Sequence, residues 1–190
     1  MVDWIILIYY TLHMEKPYQL LQPVFKDHRG SFTPIKLSDK WVQSNISIND
    51  DIFVFRGLHY QDDPMAQSKL VSIIQGKVID FVINLDKDSE DFGKLETFVL
   101  TSGESVYVPK GYAHGFLTLQ SGTIVNYLVD NEYSKEHEGC IQWDTVEEVK
   151  DIITKYMRGF NFKVKISDKD TEGITLEEYK NKWQKKKLKN

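Results

Sequence analysis

Between Ile52 and Val129 the chain is a succession of short apolar runs, rich in β-branched and aromatic residues and cut by Gly, Pro, Asp and Ser. "KLVSIIQ", "KVIDFVINL", "ETFVL", "SVYVP", "HGFLTL" and "TIVNYLV" follow one another at close spacing. Several short strands so spaced argue for an all-β sandwich or barrel. Gln75-Gly76 marks a tight turn between two of them. Upstream, residues 24–36 read as two short strands around a turn at Arg29-Gly30. No repeat of 20–50 residues and no low-complexity segment interrupts the pattern.

The rest of the chain is framed by size and composition. Its 190 residues suit one domain with an added terminal piece, and are enough to bury a sizeable core. At 41% hydrophobic and 27% charged residues the composition is that of a soluble globular protein. A formal net charge of -4 leaves no electrostatic footprint for nucleic acid. The single cysteine, Cys140, excludes an internal disulfide framework and points to a reducing compartment, the cytoplasm. The apolar run Trp4 to Leu12 is too short to span a membrane. Asp3 stands where a secretory signal would be basic, and "TLHMEKP" offers no small-x-small cleavage site. Residues 1–13 therefore read as an extension, an edge strand or an upstream start, with Met14 opening a main domain over 14–170.

The tail changes period. In "TVEEVKDIITKYMRG" a capping box, Thr145 with Glu148, predicts a helix over 145–158 whose apolar stripe is Val149, Ile152, Ile153, Tyr156 and Met157, with Gly159 as its stop. Thr175 and Glu178 repeat the cap, so 171–190 reads as a C-terminal helix and basic tail. The six lysines after Tyr179 suit a solvated helix face rather than a nucleic-acid or membrane patch.

Two stretches carry chemistry. "FRGLHYQ", Phe55 to Gln61, places Arg and His where a buried strand favours Val, Ile and Phe. Arg56 and His59 are three apart, so a regular strand sends them to opposite faces; Gly57 allows a bulge that brings both to one mouth. "GESVYVPKGYAHGF" fits G-x5-P-x-G-x2-H with Gly103, Pro109, Gly111 and His114. It resembles the second motif of the cupin superfamily, a double-sheet jelly-roll barrel. The expected fold class is therefore mainly β, a cupin-type jelly-roll barrel with short C-terminal helices. Metal-binding cupins carry His-x-His and a Glu in their first motif; here Gln61 replaces one His, and Lys69, seven before Gly76, replaces the Glu. An ammonium repels a divalent ion, so no metal is expected. A pocket of Arg56, His59, Lys69, His114 and Tyr127 suits instead an anionic substrate and an enolate. A histidine such as His59 suits the role of general base, Lys69 can face a developing oxyanion, and Tyr127, mid-strand, can return the proton from the opposite face. Taken singly, each of these residues also fits a core or surface role; the set carries the reading.

"FRGLHYQDDPMAQSKLV", "VPKGYAHGF", "NYLVDNEYSKEHEGCIQW" and "SDKD" together resemble the signatures of the dTDP-4-dehydrorhamnose 3,5-epimerases, from about Val24 to Asp170. The resemblance implies a metal-free and cofactor-free isomerase that inverts C3 and C5 of a nucleotide-linked 4-keto-6-deoxy sugar, toward activated L-rhamnose. It implies His59 as base with Asp170 as its carboxylate partner, Lys69 at the C4 oxygen and Tyr127 as acid. His114 would contact the sugar, with Asp80 placed to pair with it. Arg29, Arg56 and Lys169 would hold the diphosphate; Tyr133 would stack on the nucleobase, and Glu138, Gln43 and Asn45 would be further substrate contacts. It also implies a homodimer with exchanged N-terminal strands, so that Arg29 acts in the neighbour's site. A 3-epimerase or 3,4-ketoisomerase on another deoxysugar, and a non-catalytic sugar-binding cupin, are the alternatives. Pro34 replaces a usual Glu, and Gln43-Ser44-Asn45-Ile46 replaces Q-D-N-H; both departures predict a relaxed or altered nucleotide preference.

Overall fold

The computed structural model describes residues 16–20, 25–27, 30–32, 40–161 and 163–187. The strands are β1 (Tyr18–Leu20), β2 (Phe25–Asp27), β3 (Gly30–Phe32), β4 (Gln43–Asn49), β5 (Phe55–Gln61), β6 (Lys69–Gln75) and β7 (Lys77–Asn84). They continue with β8 (Leu95–Thr101), β9 (Ser105–Val108), β10 (Tyr112–Thr118), β11 (Thr123–Val129) and β12 (Glu138–Cys140). A 3-10 turn at Trp143–Thr145 leads to α1 (Glu147–Met157), α2 (Asp168–Thr171) and α3 (Leu176–Lys187). The apolar runs read from the sequence are these strands: β6 and β11 coincide with "KLVSIIQ" and "TIVNYLV". β2 and β3 form the expected antiparallel pair.

Two five-stranded antiparallel sheets face each other, one ordered β1-β9-β6-β11-β4 and the other β12-β5-β10-β7-β8, which is the jelly-roll architecture expected. The turn at Gly76 does not close a hairpin. β6 and β7 lie in different sheets, and Gly76, at φ 91°, turns the chain from one to the other.

The core has two layers. Between the sheets pack Val71, Ile73, Val78, Val82, Val106, Phe116 and Val125. On the far side of the second sheet, Phe55, Leu58, Ile79, Phe81, Ile83 and Leu117 pack under the C-terminal helices, against Val149, Ile153 and Tyr179. Both faces of β7 are therefore covered, which is why "KVIDFVIN" is apolar almost throughout rather than alternating.

The cap expected for α1 does not form. Thr145 Oγ1 donates to Gln142 O instead, and the helix starts after Val146, whose side chain caps nothing. The preceding 3-10 turn has already used the threonine. At α3 the box does form: Glu178 N donates to Thr175 Oγ1 at 3.1 Å, and Thr175 N donates to Glu178 Oε2 at 2.8 Å. Past α1, Gly159 takes φ 88°, as its reading as a stop requires. Residues 1–13, Arg29 and Pro34 lie outside the described residues.

Candidate active site

β5 enters the barrel beside β10, and the pairing slips at Gly57. His59 faces His114 and Arg56 faces Phe116, so two steps along β10 span three along β5. This bulge puts Arg56 and His59 on the same inward face. Only glycine fits there: φ is 118°, and a Cβ would stand 2.6 Å from Gly115 Cα and 2.7 Å from His114 O.

His59 Nε2 lies 2.7 Å from Asp170 Oδ1. The carboxylate is buried, and its other oxygen accepts the Gly57 N–H at 3.2 Å. Burial alone would push Asp170 toward its neutral form; the hydrogen bond and charge of His59, with the Gly57 and Ser167 contacts, outweigh it and hold the carboxyl below its ordinary pKa. Ser167 caps the short α2 and accepts from Asp170 N, fixing the residue that pairs with His59.

From the opposite sheet come Lys69 and Tyr127. Tyr127 pairs with Val71, and Val129 with Lys69, so all four point inward. Lys69 is buried rather than a surface lysine, and burial pulls its pKa from 10.5 down to about 8, with Asp80 partly opposing. Its Nζ donates to His59 O at 3.4 Å. Burial raises the Tyr127 phenol, partly offset by Arg56, so it keeps its proton at neutral pH. Asp80, fully buried, accepts from His114 Nε2 at 2.8 Å, and its pKa is raised by burial against the pull of His114 and Lys69.

A cleft of about 230 Å³ collects Arg56, His59, Lys69, His114, Phe116, Tyr127, Ser167, Lys169 and Asp170. A second, of about 390 Å³, shares His59, Lys69, Tyr127 and Lys169 with it and extends over Gln43, Asn45, Gln67, Tyr133 and Glu138. At its rim Glu138 accepts from Tyr133 Oη at 2.8 Å and from Lys169 Nζ at 2.7 Å. Every expected site residue among the described ones thus lines one of two joined clefts.

Ser44 needs correction. It was expected to weaken nucleotide contacts, but strand alternation turns Ser44 and Ile46 outward while Gln43 and Asn45 line the cleft. Ser44 Oγ accepts from Asn126 Nδ2 on that outer surface. Gln61, at the vacant His position of the cupin motif, is committed to structure: its amide donates to Met65 O and Glu132 O and accepts from Ser134 N.

Sequence reasoning missed Asn49, Phe116, Ser167 and Gln67. Asn49 Oδ1 accepts from Arg56 Nε at 2.8 Å and so orients the guanidinium. The signal was present in "QSNISIN", where polar residues at 43, 45, 47 and 49 share one face of β4.

A sequence model of the dTDP-4-dehydrorhamnose 3,5-epimerases matches residues 12–178. A protein of that name from Sinorhizobium fredii is 36% identical over 139 residues, covering 66% of this chain and 71% of the relative. One from Methanothermobacter thermautotrophicus is 36% identical over 138 residues, 66% and 73% of the two chains. Among solved structures, the Bacillus anthracis dTDP-4-dehydrorhamnose 3,5-epimerase with TDP and PPi bound superposes with a TM-score of 0.72 at 32% identity, over 84% of this chain and 93% of that one. The Legionella pneumophila dTDP-6-deoxy-D-glucose-3,5-epimerase in complex with dTDP-4-keto-L-rhamnose gives 0.71 at 28% identity, over 85% and 88%. The jelly-roll sheets, the paired clefts and these likenesses agree: the chain belongs to the dTDP-4-dehydrorhamnose 3,5-epimerase family.

Proposed function

We propose that this isomerase inverts C3 and C5 of a dTDP-4-dehydro-6-deoxy sugar, through an enolate, on the route to activated L-rhamnose. The observation that carries the reading is a His59–Asp170 pair on one side of a cleft that Tyr127 enters from the opposite sheet, with the buried Lys69 beside His59. His59 takes the proton next to the carbonyl, and Asp170, held ionised, orients the imidazole and favours the charge it acquires. Lys69 stabilises the oxyanion at C4 from a desolvated position, where its charge acts most strongly. Tyr127, kept protonated by burial, returns a proton to the other face.

His114, with Asp80 behind it, contacts the sugar. Arg56 and Lys169 hold the diphosphate, joined by Arg29 of a partner subunit. Tyr133 stacks on the nucleobase, with Gln43, Asn45 and Glu138 around the nucleotide. No metal enters this scheme: the cupin ligand positions hold Lys69, a cation, and Gln61, whose amide is already engaged.

The working form is a homodimer with exchanged N-terminal strands, in the cytoplasm. β4 supports the dimer. Its inward face is polar, while its outward Ile46 and Ile48 are 69% and 63% exposed, an apolar edge that a second copy would cover. Among the described residues no helix is long and apolar enough to cross a membrane.

Proton NMR of dTDP-4-keto-6-deoxyglucose incubated with the protein in D2O tests the reaction. Deuterium should enter at C3 and C5 with inversion at both. Exchange at C3 alone would make it a 3-epimerase, and no exchange would leave a sugar-binding protein.

A further inference from the structure

Cys140 stands beside the catalytic pair. β12 pairs with β5 so that Cys140 lies directly opposite His59, on the same face. The Cys140 thiol, a His59 ring nitrogen and an Asp170 carboxylate oxygen all lie within 4.8 Å of one another. These are a sulfur, a nitrogen and an oxygen donor, the set that zinc-class ions prefer. Tetrahedral coordination at bond lengths near 2.0–2.3 Å wants donors roughly 3.5 Å apart, within reach of small side-chain rotations. The site has an entrance, since the His59 side chain is 39% exposed toward the cleft.

We propose that Cys140, His59 and Asp170 form a binding site for a zinc-class divalent cation, and that filling it shuts off proton abstraction by His59. The site shares His59 with the cupin metal motif but takes Cys140 and Asp170 as its other donors, away from the positions that Gln61 and Lys69 occupy. On binding, the His59 Nε2 proton shifts to Nδ1 and the freed lone pair, with an Asp170 oxygen, moves onto the cation; the thiol releases its proton to solvent and binds as thiolate, and a water completes the shell. No oxidation state changes.

Cadmium titration of the full-length, chelator-washed protein tests the site, read by the ultraviolet thiolate-to-cadmium charge-transfer band. Cys140 is the only cysteine, so the band can report no other sulfur. One cation per chain should saturate it, and His59→Asn and Asp170→Asn, each checked for folding by circular dichroism, should each weaken binding by about tenfold or more. Absence of the band, or unchanged affinity in both variants, would overturn the site. This arm needs no substrate, so it stands or falls separately from the epimerase reading. For the inhibitory half, Zn2+ should stop substrate proton exchange and a chelator should restore it. The same Zn2+ sensitivity in Cys140→Ser would overturn that half.

Discussion

Gly57 decides where its neighbours point. A strand without the bulge would put Arg56 and His59 on opposite faces, and the cleft would lose one of them. Gly57→Ala must accommodate both a φ of 118° and a Cβ 2.6 Å from Gly115 Cα, so it should cost about 3 kcal/mol or more in urea unfolding, well above an ordinary surface change. Lys69 tells a second residue-scale story. Its pKa falls from 10.5 in the free side chain to about 8 in the fold, so the folded protein binds fewer protons than the unfolded chain between those values. Stability should therefore rise with pH across that window, and the burial penalty is full below pH 8. Lys69→Met should raise the unfolding free energy at pH 7, read by urea denaturation, by an amount on the order of 3 kcal/mol, while lowering turnover sharply. Normal turnover in that variant would remove Lys69 from the reaction. The residues that sequence alone picked out here were out of place for a strand: a charge, an imidazole and a glycine among apolar residues. Asn49, Ser167 and Cys140 were not, because a polar side chain in an alternating strand or a loop looks ordinary until the register shows what it faces.

At the scale of elements, period was readable and partnership was not. The β runs were legible because burial selects β-branched and aromatic residues. That β6 and β7 belong to different sheets was not, because Gly76 serves a sheet-to-sheet corner as well as a hairpin. The α1 stripe was legible, but its cap was misread by one residue because a 3-10 turn intervenes. That helix also bears on the site. α1 buries Val149 and Ile153 against the layer holding Phe53 and Phe55, and the chain then returns along β5 through the Val54–Lys165 bridge to reach Ser167 and Asp170. Ile153→Ala should cost about 2–4 kcal/mol in chemical denaturation. By loosening the approach to Asp170 it should also lower kcat more than a stability loss alone explains when assayed far below the melting point. A variant destabilised but kinetically normal would show that α1 only shields the sheet.

For the whole molecule, the two faces of the first sheet divide the labour. Its inward face holds Gln43, Asn45, Lys69 and Tyr127; its outward face presents Ile46 and Ile48, with Ile74 also exposed. Replacing Ile46 and Ile48 together by Lys should convert a dimer to a monomer in analytical ultracentrifugation with little change in the monomer's melting temperature, because neither side chain is buried in the chain itself. An unchanged sedimentation coefficient would place the contact elsewhere. The two sheets also bring His59 and Tyr127 to one cleft from different sides, and the proposed division of base and acid between them is the central claim. It is tested most directly by following exchange and inversion together, in D2O, for two variants on dTDP-4-keto-6-deoxyglucose. His59→Asn should abolish both, since general bases of this kind contribute on the order of 10²–10⁴-fold. Tyr127→Phe should still form the enolate with His59 and Lys69, and so gain deuterium at C3 faster than inverted product appears. Full-rate inversion by Tyr127→Phe, or undiminished exchange by His59→Asn, would contradict the account.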